Sequence, residues 1–445
     1  MIQRVHAVPD GALADWHVTC FKDAKLNAIS CFLITQSFSR NNTSMIHHRT
    51  RPDLNMPSRI AGSLLIAVCL LGGLEGCTRE VPIDYGLRDA TAQLPSHQKT
   101  SLHDALRRYF GTPFSPRFKH NATVSEQRES SSSSPAPDTD MGTLADFIAR
   151  GQLAHGQRVY AKQCQACHGV DGNGNGPVAY ALNPKPRNYQ EAKFKFASTP
   201  RGYKPRRDDL IRIIRRGAKG TSMPAFRLMP DEDVKAVVDY VMALTSRGEL
   251  EKRLLLDAED LDEDEGFDPA DVATHVDEII ASWQEAPQFL ITPVVNRVPY
   301  SEESIQLGRK AFVKESCYKC HGVDGRGSGR RPLGKDDWGH DAFAANLAAG
   351  MLHGGRRPLD IYRRIHGGIN GTPMPGYLDA LKDRPETMWH LANFITSIVE
   401  GAEIPEEELK QLAAEAQQLE AEAARGNQTP AAEGDSADKP EADSE

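Results

Sequence analysis

Cysteine is scarce in this chain. Eight cysteines serve 445 residues, and Cys20, Cys31, Cys69 and Cys77 all lie before residue 78. The other four, Cys164, Cys167, Cys317 and Cys320, sit in two pentapeptides. Outside those pentapeptides, the body of the chain has no thiol for a disulfide or a zinc site. Apolar residues make up 39%, below the usual range. With 28 prolines and 36 glycines, this points to much loop and linker, although the length leaves room for two or three domains. Long apolar runs are lacking too. The clearest, Ile60 to Leu74, falls short of the ~20 residues a helix needs to span a bilayer.

That run follows Met56-Pro-Ser-Arg59, and residues 56–76 read as a secretion signal, a short basic start and a compact apolar core. It closes on Leu74-Glu75-Gly76-Cys77, which resembles the lipobox of bacterial lipoproteins, although Glu75 stands where that pattern prefers a small residue. The resemblance implies a lipidated Cys77; the alternative is an uncleaved signal anchor. Both place the body in the periplasm, attached to the membrane. Residues 1–55 carry no clear periodicity or motif, are expected to lie upstream of the true start at Met56, and are left out of the fold reasoning.

The pentapeptides are Cys164-Gln-Ala-Cys167-His168 and Cys317-Tyr-Lys-Cys320-His321. Two thiols that add to porphyrin vinyls, and a histidine that reaches the iron, must address one edge and face of one macrocycle; Cys-x-x-Cys-His provides that. Two covalently attached haem c groups are expected, with His168 and His321 as proximal ligands. Each motif is followed, 55 and 53 residues after its histidine, by a methionine, Met223 and Met374, in Gly-Thr-x-Met-Pro. Proline keeps these stretches out of helix, and Gly220 and Gly371 let the backbone turn. A thioether favours ferrous iron and fills the sixth position, which favours electron transfer over catalysis. Met229, Met242 and Met388 read as core filler. His340, His353, His366 and His390 offer alternative nitrogens in the second half, each expected at the surface or behind the ligands.

The two haem segments form an internal repeat. Arg206, Asp209, Leu210, Arg212, Ile214 and Gly217 align with Arg357, Asp360, Ile361, Arg363, Ile365 and Gly368. A short helix with Gly-x-x-x-aromatic precedes each motif, and an amphipathic helix follows each methionine, over 231–245 and 386–399. The expected organisation is a tether at 77–140, a first domain at 141–248, an acidic linker at 249–300, a second domain at 301–400, and an acidic helical or disordered tail at 401–445. Charge is segregated: residues 141–248 hold 18 Lys and Arg against 9 Asp and Glu, residues 249–300 hold 3 against 14, and residues 401–445 hold 3 against 13.

Residues 151–246 and 301–400 resemble two class I cytochrome c domains in tandem, on the haem motif, the Met-Pro loop and both flanking helices. The resemblance implies an all-α fold in which the two helices of each domain cross at a glycine and an aromatic pair: Gly156 and Tyr160 with Tyr240, and Gly308 and Phe312 with Phe394. It also implies a proline whose carbonyl accepts the ligand imidazole's N–H; Pro177 fits in the first domain, and Pro332 stands there in the second.

Two decoys fall away. Asp171-Gly-Asn-Gly-Asn-Gly176 begins like a calcium loop, but Leu182 holds the twelfth position where a glutamate is required. No strand precedes those glycines, so no nucleotide loop is expected. The basic stretch 201–219, with 8 Lys and Arg against 2 Asp, reads either as a docking surface for redox partners or as a solvated face with some groups near haem propionates. Nucleic acid is not expected. The function implied is that of an exported dihaem electron carrier, not an enzyme, serving redox proteins or a membrane respiratory complex. The alternatives are a subunit of a respiratory or dehydrogenase complex, and a dihaem peroxidase, which needs an open sixth position.

Overall fold

The computed structural model describes residues 16–23, 28–35, 84–121, 144–327 and 331–426. Two units divide the chain, 1–79 and 80–445. In the first, β1 (Trp16–Asp23) pairs antiparallel with β2 (Ala28–Thr35), with Cys20 opposite Cys31. Both stretches are rich in β-branched and aromatic residues, which favour extended backbone, but neither alternates clearly enough to mark a strand in the sequence. The signal at 56–76 and Cys77 lie outside the described residues.

The second unit is mostly helical, as expected of an all-α fold, and its two lobes repeat one design. In lobe 1, α2 (Arg150–Gln163) crosses α5 (Asp231–Asp257) at Gly156, where a Cβ would lie 2.0 Å from the Ala236 carbonyl oxygen. In lobe 2, α7 (Glu302–Lys314) crosses α11 (Thr387–Val399) at Gly308, 2.0 Å from the His390 carbonyl oxygen on the same test. The expected aromatic pairs meet edge to face, Tyr160 with Tyr240 at 5.2 Å and Phe312 with Phe394 at 5.3 Å. Sequence chemistry sets these helices. Asp231, Glu232 and Asp233 lie in the first turn of α5, where the helix dipole favours them. The Ser301 hydroxyl caps α7 by accepting from the Ser304 N–H at 3.2 Å.

The expected tether and linker are largely part of lobe 1. Within 77–140, α1 (Ser96–Phe110) buries Leu102, Leu106, Tyr109 and Phe110 along one face. Within 249–300, α5 runs on to bury Leu250 and Leu254, and α6 (Pro269–Glu285) buries Val272, Val276, Ile279, Ile280 and Trp283. These side chains form one core. The apolar stripe of α6 is hidden in the sequence by its acidic neighbours; the run at 257–265 stays largely at the surface, as does the stretch 292–300. Residues 84–93 also lock onto the lobe. Glu251 is fully buried and accepts from the Arg88 backbone N–H at 2.6 Å and the Thr91 hydroxyl at 3.0 Å. The Arg88 side chain reaches Glu191 at 2.5 Å.

Short β pairs finish the arm: β3 (Gly111–Thr112) with β4 (Ser115–Pro116), and β5 (Lys119–Asn121) with β6 (Leu144–Asp146). At the other end, α12 (Glu406–Gly426) forms as its Ala/Glu/Gln/Leu pattern predicts. It docks on lobe 2 through Leu412 and Ala416, with the Tyr318 hydroxyl donating to the Ala416 carbonyl at 3.1 Å. The remainder of the tail lies outside the described residues.

Candidate haem sites

Each Cys-x-x-Cys-His motif contains a single helical turn, α3 (Gln165–His168) and α8 (Tyr318–His321). The His168 N–H donates to the Cys164 carbonyl and the His321 N–H to the Cys317 carbonyl, both at 3.0 Å. That i to i+4 closure brings the first cysteine and the histidine to one face. None of the four motif cysteines is engaged in a disulfide, and the Tyr377 hydroxyl is hydrogen-bonded to Cys317.

His168 Nδ1 lies 3.0 Å from the Arg187 carbonyl oxygen, and His321 Nδ1 lies 3.1 Å from that of Ala345. A carbonyl only accepts, so Nδ1 carries the proton and Nε2 keeps the lone pair that an iron would take. Burial lowers both imidazoles below the usual histidine value, which favours the neutral, ligating form. The expected carbonyls were those of Pro177 and Pro332. The structure replaces them with residues further along, each just before an asparagine. Asn188 accepts from the Gln190 N–H at 2.9 Å, and Asn346 from the Ala349 N–H at 3.0 Å. Each asparagine starts a short 3-10 turn that returns the chain to the glycine loop, through Tyr189 N–H to Gly172 O at 2.7 Å and Leu347 N–H to Gly325 O at 2.8 Å. The repeated Asn is the signal that sequence reasoning passed over. Tyr189 was also missed: its ring stacks on His168 at 4.8 Å and its hydroxyl lies 3.3 Å from Nε2.

The two methionine loops are built alike. The Thr221 hydroxyl donates to the Ala218 carbonyl at 2.7 Å and accepts from the Met223 N–H at 3.1 Å. The Thr372 hydroxyl does the same with Ile369 at 2.8 Å and Met374 at 3.3 Å. Three residues past each methionine the chain is pinned back to the preceding helix, Phe226 N–H to Ile214 O at 3.0 Å and Tyr377 N–H to Ile365 O at 2.9 Å. Gly220 and Gly371 have φ of 75° and 72°, as the expected turn requires. Met242 and Met388 are buried in the core and Met229 packs against it.

The alternative histidines have other roles or surroundings. His353 Nδ1 donates to the Lys219 carbonyl, His390 Nδ1 meets the Ser304 hydroxyl at 2.9 Å, and the His340 N–H donates to Asp336 at 3.0 Å. His366 is buried in α9 (Pro358–Gly367), its Nδ1 without a hydrogen-bond partner.

The basic stretch is mostly paired within the chain. Six of its eight cations meet a carboxylate: Lys204 with Glu249, Arg206 with Asp208, Arg207 with Asp239, Arg212 with Asp209, Arg215 with Asp231, and Arg216 with Asp360 of lobe 2 at 3.9 Å. Among the described residues five arginine Nε atoms are buried without a partner, those of Arg88, Arg117, Arg212, Arg309 and Arg364, and only Arg212 belongs to this stretch.

These groups fit a covalently held haem. Each lobe offers two free thiols, one imidazole with its outer nitrogen fixed by a carbonyl, and a thioether loop.

Residues 151–241 match the family model for cytochrome c oxidase, cbb3-type, subunit III, and residues 305–398 match that for cytochrome c. No curated protein gives a significant match. Among solved structures, a chain of a reducing HAO-like protein complex from Kuenenia stuttgartiensis is 27% identical, over 55% of this chain and 95% of that one, with a TM-score of 0.42. That likeness is too slight to bear on fold or role. The two family matches fall on the two lobes and their Cys-x-x-Cys-His motifs, and the chain thus carries two cytochrome c-type domains in tandem, with covalently bound haem c, the make-up of a dihaem c-type cytochrome.

Proposed function

We propose that this protein is an exported, membrane-attached dihaem cytochrome that relays single electrons between extracytoplasmic redox partners. The assignment places His168 and Met223 on one iron and His321 and Met374 on the other, with thioether bonds from Cys164 and Cys167, and from Cys317 and Cys320. Attachment is through a lipidated Cys77 or the signal segment. The observation that carries the reading is the methionine loop itself, formed twice with the same Thr hydroxyl bridging the methionine N–H and a carbonyl. Haem supplies the one-electron chemistry when bound; the chain's residues orient the imidazoles, exclude water and hold the sulfurs. A site filled on both sides has no position for peroxide, which separates this reading from a peroxidase.

A redox titration of the purified holoprotein with optical and magnetic spectra tests it. Two low-spin haems, each with a sulfur-to-iron absorption band, are expected; a high-spin signal or rapid cyanide binding in the native protein overturns it. The match of residues 151–241 to an oxidase subunit family favours one second reading, a stable subunit of a respiratory complex. Stable co-purification with an oxidase or dehydrogenase from native membranes supports it.

A further inference from the structure

The histidine-to-carbonyl spacing differs between the lobes, 19 residues from His168 to Arg187 and 24 from His321 to Ala345. The longer loop carries Trp338. Asp336 shapes it, accepting from the Trp338 N–H at 3.1 Å and the His340 N–H at 3.0 Å. It also docks it on lobe 1, where Lys195 Nζ donates to Asp336 at 2.8 Å and Lys193 pairs with Asp337. The indole between them touches both haem segments. Its Nε1–H donates to the Asn188 carbonyl at 3.2 Å, and the Arg187 guanidinium lies 3.8 Å over its ring. On its other side it packs against Gly371, where a Cβ would fall 2.5 Å from the ring, and the Asp337 N–H donates to the Gly371 carbonyl at 3.0 Å.

We propose that Trp338 is the contact through which the two haem sites exchange electrons. The inference rests on the ligand assignment above and deepens it. The residue whose carbonyl orients His168 adjoins the one that accepts the indole N–H, and the indole touches the Gly371-Thr-Pro-Met374 loop. Two hydrogen bonds, one van der Waals contact and short runs of backbone join the lobe 1 imidazole to the lobe 2 methionine. Electrons tunnel through bonded atoms and close contacts far better than across gaps. The step moves one electron from a reduced haem to an oxidised one; no bond forms or breaks, and the indole is left unchanged. The bland alternative is a tryptophan that only anchors the lobes, as tryptophan often does at interfaces.

The test uses the full holoprotein. A pulse of photochemical or radiolytic one-electron reductant partly reduces the oxidised protein, and redistribution is followed at wavelengths that titration assigns to each haem. The parent is expected to show a phase independent of protein concentration. Trp338→Ala loses it, and Trp338→Phe, which keeps a ring against Gly371, retains part of it. Lys193→Ala removes the ion pair to Asp337 and so loosens the same interface, while Lys195 stays over the indole ring, and it retains the phase. Potentials and ligand spectra stay at the parent's values in all three. The proposal is overturned if the parent lacks the phase, if Trp338→Ala keeps it or alters either haem's ligand spectrum, or if Lys193→Ala loses it as fully. Failure of the ligand assignment shows separately, as a missing sulfur-to-iron band in the parent.

Discussion

Methionine is a weak iron ligand, so the residue-scale test of the sites is its removal. Met223→Ala and Met374→Ala should each cost the holoprotein part of its sulfur-to-iron band and lower one of the two potentials, because the thioether favours ferrous iron. Each variant should also gain cyanide binding at that haem alone. An undiminished band in either variant sinks that ligand. The crossing glycines make a second pair of predictions. A methyl group at Gly156 or Gly308 would meet a backbone carbonyl at 2.0 Å, which no rotamer relieves. Overpacking of this kind costs about 1–3 kcal/mol, so Gly156→Ala and Gly308→Ala should each lower the unfolding midpoint in calorimetry; unchanged midpoints count against these crossings. Glycine and aromatic were legible in the sequence because the resemblance to class I cytochrome c domains implies them, at a spacing that sets them on one helix face. The carbonyls behind the two histidines were not. Pro177 was conspicuous, while Arg187 and Ala345 act through backbone atoms, which leave no mark of their own in side-chain identity.

Elements were legible where the helical period stood alone and obscure where charge surrounded it. Leu102, Leu106 and Phe110, within the expected tether, stand at helical spacing, which marks a helix but not what it covers. The α6 stripe was submerged among fourteen acidic residues at 249–300, yet Trp283 is buried and its Nε1–H donates to the Ser246 hydroxyl at 3.0 Å. Fixing a chain segment costs entropy that buried apolar surface must offset, and these stripes supply that surface. Leu106→Ala should therefore destabilise lobe 1 by about 2–5 kcal/mol, and Trp283→Ala by about 3–5 kcal/mol. Denaturant unfolding followed at each haem tests this, with lobe 1 weakened and lobe 2 holding its midpoint. Equal loss in both lobes, or in neither, contradicts the packing described.

At the scale of the whole molecule, net charge by segment does not show what the charges meet. The cations at 201–219 read either as a docking surface or as a solvated face, and most of them are matched by carboxylates within the chain, one of them from lobe 2. Electrostatics thus acts between the lobes, and it has a pH signature. Burial alone would raise the Asp336 carboxyl, but the Lys195 ammonium and the His340 and Trp338 N–H groups outweigh burial and hold it below the usual range. Arg187 adds its positive field, and His340 Nδ1 lies 3.7 Å away. Asp360 behaves alike: burial raises it, and Arg357, with Arg212 and Arg216 of lobe 1, lowers it further than burial lifts it. A carboxyl whose folded value is depressed contributes stability above its unfolded value, about 3.9 for Asp. That contribution disappears as pH falls through the folded value. The lobes should accordingly stay docked at neutral pH and separate on acidification below about pH 4. Small-angle scattering of the holoprotein should register the change as a rise in radius of gyration. Asp336→Asn removes one of the two depressed carboxyls, so its docking should be weaker at neutral pH and less dependent on acid. If scattering stays constant until the haem spectra themselves report unfolding, or if Asp336→Asn follows the parent's profile, these carboxylates do not govern how the two lobes are held.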